Sequence, residues 1–210
     1  MLDILDTRTV LCMDALHYSF ELLGYYYSSL WETCCKIQKD NTQLVPALAG
    51  GCGFIEVVHR IREVSQSIPS LSHNHPEMRI FLSASSLAVE YRNYFQHLRN
   101  ELGKNPPNPF PVWGSLSWVD AENPKLAHLA LLGASMEGFR DTSCVYDRQE
   151  MKWVSKVTLG INNKSFHFDP VFDSATRFRE FITSFLSNQT FGKIAHTKEL
   201  PIVSFEIIAK

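Results

Sequence analysis

Residues 105–109 read Asn-Pro-Pro-Asn-Pro, and no other stretch of the chain limits its fold as strongly. Proline has no amide hydrogen to donate, so it sits neither inside a helix nor in a central strand. The stretch marks a break in architecture, and the hydrophobic pattern changes across it. Before it, apolar residues recur every three or four positions, the helical period; after it, short apolar runs alternate, the strand period. The expected fold is α+β: an N-terminal helical bundle over residues 1–105, then an antiparallel β-sheet with a packed C-terminal helix over 106–210, the two able to pack as one unit. With 210 residues, of which 45% are hydrophobic, the chain is large and apolar enough to bury a core and is not disordered in bulk.

From about Thr9 to Lys39 there is no proline, and Leu11, Ala15, Tyr18, Leu22, Tyr25 and Ser29 follow i, i+4, i+7 spacing. That spacing predicts a long amphipathic helix, closed by Asp40-Asn41. Gly50-Gly51-Cys52-Gly53 lacks both the ordered glycine spacing of a dinucleotide fold and the Lys-Ser/Thr of a phosphate loop, so it reads as a turn or a close helix contact. A second helix is expected from Phe54 to about Ser67, stopped by Pro69. His73 and His75 form an H-x-H pair, but no third metal ligand lies close by. Ser72 or Asn74 as N-cap, Pro76 in the first turn and Glu77 beside the helix dipole explain the same residues as a helix start. The third helix is then expected from about Glu77 to Leu102, ended by Gly103 and Pro106.

Beyond Pro109, strand patterns cover Val112–Val119, Leu126–Leu132 and Trp153–Leu159, with a hairpin return turning at Asn162-Asn163. Asp169-Pro170 opens a last helix with Phe172, Ala175, Phe178, Phe181, Ile182 and Phe185 on its apolar face, and Ile202–Ile208 reads as a final strand. His128 and His167 fall within strand patterns, where hydrogen-bonded structural imidazoles are the expectation, and Asp169 reads as an N-cap. Tyr25-Tyr26-Tyr27 with Trp31 reads as core or subunit interface.

Twenty Lys plus Arg against 22 Asp plus Glu leave a formal charge of -2, so no global basic field draws this chain to nucleic acid; an anion site must be local. The five cysteines are an odd number without a C-x-x-C pair, which suits reduced thiols. The N-terminus carries acids where a secretory signal carries Lys or Arg, and no uninterrupted apolar run reaches the length of a membrane span, so a cytoplasmic protein without a membrane partner is expected.

One segment carries residues suited to chemistry: Val89-Glu90-Tyr91-Arg92-Asn93-Tyr94-Phe95-Gln96-His97-Leu98-Arg99-Asn100. On a continuous helix at 100° per residue, Tyr91, Phe95, Leu98 and Leu102 share the core face, and the polar residues spread over the other. Arg92 and His97 then sit about 140° apart, with Arg99 nearly in line with Arg92. Arginine holds a phosphate bidentately, and histidine, titrating at about 6.5 when unperturbed, moves a proton near neutral pH. On RNA, such a histidine takes the 2′-hydroxyl proton while arginine steadies the charge on the phosphate oxygens, without a metal. Arg92 and His97 diverge on one helix, so a shared groove between two copies is expected.

Arg92-Asn93, three further residues and His97 resemble the R-[polar]-x3-5-H motif of the HEPN superfamily, and the resemblance covers the first half of the chain only. Two details depart from the family pattern: the motif falls in the third long helix, and Leu98 follows the histidine where a small residue is common. The resemblance implies a helical bundle that dimerises around the motif and a metal-independent endoribonuclease, or an RNA-binding relative that has lost catalysis, of a toxin or antiviral-defence type. It implies Arg92 and His97 as catalytic residues, no cofactor and no metal, while the polar face supplies Asn93, Gln96, Arg99 and Asn100 as candidate substrate-binding residues. The alternative expectation is a non-catalytic dimeric interaction module that recognises a protein partner.

Overall fold

The computed structural model describes residues 7–69, 71–106, 108–134 and 144–189. Helix α1 covers Thr7–Cys34, and a 3-10 turn at Asn41–Gln43 leads into α2, Leu44–Gln66. α3 (Pro76–Ala84), α4 (Ser86–Gln96) and the short α5 (Leu98–Leu102) complete the helical half. Among the described residues six strands follow: β1 (Ser115–Val119), β2 (Ala127–Leu131), β3 (Tyr146–Asp147), β4 (Lys152–Trp153), β5 (Val157–Ile161) and β6 (Lys164–His167). An antiparallel sheet runs in the order β2-β1-β5-β6, and β3 and β4 pair as a separate ribbon. Helix α6, Phe168–Gln189, follows β6 without a loop. The fold is therefore mixed α+β, with its antiparallel sheet and last helix after the proline stretch. The expected strand at Ile202–Ile208 lies outside the described residues.

Helix α2 begins at Leu44 rather than Phe54, so the glycine run lies inside a helix. Each helical glycine costs about 1 kcal/mol relative to alanine, and at Gly53 the close approach of a neighbour explains the residue. A Cβ at Gly53 would meet the Tyr26 ring at 2.5 Å, whereas one at Gly50 would make only an ordinary contact with the Leu30 backbone at 3.5 Å. α1 thus packs directly on the α2 backbone. Residues 41–66 also match a membrane span in length and composition, yet Phe54, Val58 and Ile61 of that helix are buried against the rest of the protein.

The face of α1 that turns inward is not the one its i, i+4, i+7 spacing selects. Cys12, Leu16, Leu23 and Leu30 are buried, whereas Leu11, Tyr18, Leu22 and Tyr25 are exposed. Both stripes have helical periodicity, and only the packing of α2 and α6 distinguishes them.

The expected single helix from Glu77 to Leu102 is three helices, broken at Ser85 and His97. At the first break the buried Ser85 hydroxyl donates to the Phe81 carbonyl, while Arg62 Nη1 from α2 donates to the Leu82 carbonyl and lies 2.6 Å from Ser85 Oγ. A guanidinium thus satisfies the Leu82 carbonyl and the Ser85 hydroxyl the Phe81 carbonyl at the end of the broken helix. The break frees α3 to pack on α6, where Phe81 stacks on Phe178 at 4.6 Å, while α4 packs on α2. At the second break Leu102, expected on the core face, is exposed. His75, rather than Ser72 or Asn74, caps α3, its Nδ1 accepting from the Glu77 amide at 3.3 Å.

The sheet lays Leu116, Trp118, Leu159 and Phe166 on its helix-facing side, and Phe54 of α2 meets Phe166 and Phe168 edge-on. Asn162 and Asn163 both hold positive φ and turn β5 into β6, as the hairpin pattern predicts. The pattern at Trp153–Leu159 divides between β4 and β5, and β3 had no visible signal in the sequence. Tyr91 of α4 reaches this hairpin: its hydroxyl accepts from the Ile161 amide at 3.2 Å and lies 3.0 Å from the Leu159 carbonyl and 2.5 Å from that of Lys164. One continuous set of buried side chains runs from Cys12 to Leu186.

Tyr91→Phe leaves the Ile161 amide and the hairpin carbonyls without this partner and should cost about 1–3 kcal/mol, read as a lower urea midpoint with an unchanged denaturant slope. Gly114→Ala should cost more, about 2–5 kcal/mol, because Gly114 has a φ of 78° and an added Cβ meets the Gly160 carbonyl oxygen at 1.9 Å.

Candidate nucleic-acid interface

The polar residues named by the motif are separated by the break at His97. Arg92, Asn93 and Gln96 belong to α4, His97 is the residue between the helices with φ -112° and ψ 28°, and Arg99 and Asn100 belong to α5. The alignment of Arg92 with Arg99 depends on a continuous helix and does not survive the break. Its cause lies in the packing around it: Tyr94 donates to the Val112 carbonyl at 2.8 Å and Phe95 stacks on Trp113, tying the end of α4 to the chain that follows the proline stretch. The His97 amide still donates to the Asn93 carbonyl at 3.0 Å, so the two helices remain joined.

Asn93, Gln96, His97, Arg99 and Asn100 are all exposed, and among the described residues their side chains make no hydrogen bond or ion pair. Arg92 differs. Its Nε donates to Glu56 Oε2 of α2 at 3.0 Å, with the guanidinium side chain 27% exposed. Glu56 also lies 3.8 Å from Arg60. An ion pair this open stabilises by at most about 1 kcal/mol, but it offsets the charge that Arg92 would offer to a phosphate.

The imidazole that Arg92 influences is His59. Burial, reinforced by the Arg92 charge, holds the His59 pKa below its ordinary value, although Glu63 and Glu56 pull the other way. His59 was not among the candidates. Its signal is visible in hindsight: Glu56, His59, Arg60 and Glu63 recur at i, i+3, i+4, i+7 and make a polar stripe on an otherwise apolar helix. Glu56, His59 and Arg92 form a cross-helix group in which the Arg92 guanidinium, held by the Glu56 carboxylate, disfavours the charged form of the His59 imidazole. Beside α5, Tyr94, Glu101, Leu102, Asn108, Phe110 and Val112 line a small cleft of about 80 Å³.

His73, His75, His128 and His167 are engaged structurally. His73 Nε2 lies 3.1 Å from the Gln66 carbonyl and His75 stacks on Phe181, so the H-x-H pair is taken up by local contacts. His128 pairs with Asp120 at 3.0 Å, which helps hold that carboxyl below its usual range. His167 Nδ1 lies 2.9 Å from Thr158 Oγ1, and burial lowers its pKa against the opposing pull of Asp147 and Asp169. Asp169 is inside α6 and not its N-cap; its carboxylate accepts from the Tyr27 hydroxyl and the Lys156 amide, both at 2.9 Å. Tyr27 stacks on Phe172 at 4.0 Å, whereas Tyr25 faces outward. All five cysteines are free, and burial pushes the Cys52 thiol up to about 11.

Comparison with protein-family models, with curated proteins and with solved structures returned no match.

His59 and His167 both bind a proton less tightly in the folded chain than in the unfolded one, so their contribution to stability is complete above the ordinary value of 6.5 and is lost as the pH falls below it. The thermal midpoint should drop between about pH 7 and pH 5, and His167→Gln should make that drop shallower. An identical pH profile in the variant would remove His167 from the account.

Proposed function

We propose that the protein binds RNA through the exposed polar edge formed by the end of α4 and by α5. The observation that carries the reading is the group at the helix break: an imidazole, a guanidinium and three side-chain amides, from Asn93 to Asn100, with no intramolecular partners among the described residues. Such groups serve phosphate oxygens and unstacked base edges, the parts that single-stranded RNA presents. The resemblance to the HEPN superfamily supports RNA as the ligand and a toxin or antiviral-defence setting in the cytoplasm.

Binding is better supported than cleavage. Arg92 is engaged by Glu56, so in one copy its charge is already partly offset before a phosphate arrives. Metal-independent cleavage needs His97 as general base with a guanidinium brought to the same phosphate, from a second copy or by release of Arg92. A second reading, the interaction module that recognises a protein, is favoured by the exposed apolar residues of α1.

Binding of a labelled single-stranded RNA, followed by anisotropy over a salt series, tests the proposal. Arg99→Ala should flatten the log–log salt slope by about 0.7, the loss of one phosphate contact on a single strand. Glu56→Gln should tighten binding a few-fold by releasing Arg92. If cleavage accompanies binding, His97→Ala should slow it by about 10² to 10⁴ while EDTA leaves it unchanged. Equal affinity and equal salt slope for wild type and Arg99→Ala would exclude this edge as the RNA site.

A further inference from the structure

Helix α1 buries one apolar stripe and leaves a second one open. Leu11, Tyr18, Leu22 and Tyr25 expose 63%, 49%, 38% and 66% of their surface. With Ala15 and Ser29 between them, these positions are spaced alternately by four and three residues, the repeat that keeps one seam of a helix against a partner helix.

We propose that this seam is a homodimer interface in which α1 pairs with α1 of a second copy, antiparallel, about a twofold axis near the helix midpoint. In that register Tyr18 faces Leu22 of the second copy, Ala15 faces its Tyr25 and Leu11 faces its Ser29. On either side of the central layer a small residue meets a large one. A parallel pair sets Tyr25 against Tyr25 and Ala15 against Ala15. The antiparallel pair is therefore self-complementary in size, and this is what selects a second copy over an unrelated partner. Glu21, which borders the seam, is already neutralised by Arg179 of α6, so it adds no net repulsion between copies.

The exposed apolar area supplies most of what a specific pair needs. The four large side chains present roughly 100 Å² each, so two copies withdraw about 800 Å² from these anchors alone, and the flanking residues carry the contact toward the roughly 1,200 Å² at which specific interfaces begin. The inference is independent of the RNA reading and gives the interaction reading a definite partner.

Light scattering of the full chain across a concentration series tests it. Wild type should approach twice 24.0 kDa, and Tyr18→Lys or Leu22→Glu should each run as a monomer with an unchanged circular dichroism spectrum, since both positions face outward. Mixed in equal amounts, the two variants should recover a dimer: the introduced lysine of one copy meets the introduced glutamate of the other, and the remaining layer pairs the native Leu22 and Tyr18. A parallel pairing gives no such rescue. A monomeric wild type, a dimeric Leu22→Glu, or a mixture that stays monomeric would overturn the proposal. Both variants should bind RNA per protomer as wild type does, so failure of the seam and failure of the RNA site are separately visible.

Discussion

The Tyr91 hydroxyl holds the two halves of the molecule in one arrangement. It sits among the Ile161 amide and the Leu159 and Lys164 carbonyls, at a hairpin whose two turn residues both adopt positive φ. Its ring lies beside Phe166, which in turn meets Phe54 of α2. A buried hydroxyl with these partners has few alternative positions, because each misplacement leaves a backbone group unpaired. Tyr91 immediately precedes Arg92, so the contact that joins helix to sheet also directs Arg92 toward α2 and Glu56. The break at His97 follows from the same region, where Tyr94 and Phe95 are held by Val112 and Trp113.

Short-range signals in the sequence were legible and long-range ones were not. The Asn162-Asn163 turn, the strands around Leu116 and Ala130, and the Phe178–Ile182 face of α6 each depend on local pattern, and each is present. The inward face of α1 was not legible because two stripes share one periodicity, and the choice between them belongs to α2. The glycine run was legible as a turn or a close contact but not as helix interior, since the neighbour that crowds Gly53, Tyr26, lies on another helix. The break at Ser85 was invisible because the group that satisfies it, Arg62, comes from α2. Of the candidate site, the exposure of Asn93, Gln96, His97, Arg99 and Asn100 was legible from the polar face, but the Glu56 and His59 surroundings of Arg92 were not.

Electrostatics set the scale of what the polar edge can do. The chain is slightly acidic overall, Arg92 is paired, and Lys104 and Lys164 are committed to Glu101 and Glu90. Arg99 therefore supplies the uncompensated positive charge of the edge among the described residues. Affinity at such a site rests on amide and imidazole hydrogen bonds with one or two phosphate contacts, and it is expected to be modest and only mildly dependent on salt.

An amide NMR titration of the isotopically labelled protein with a short single-stranded RNA reads the binding surface directly. The expected result is a set of shifts concentrated on Asn93, Gln96, His97, Arg99 and Asn100, with the exposed seam of α1 unaffected. No shifts at millimolar RNA, or shifts centred on another surface with these five unchanged, would contradict the assignment of RNA binding to the α4–α5 edge.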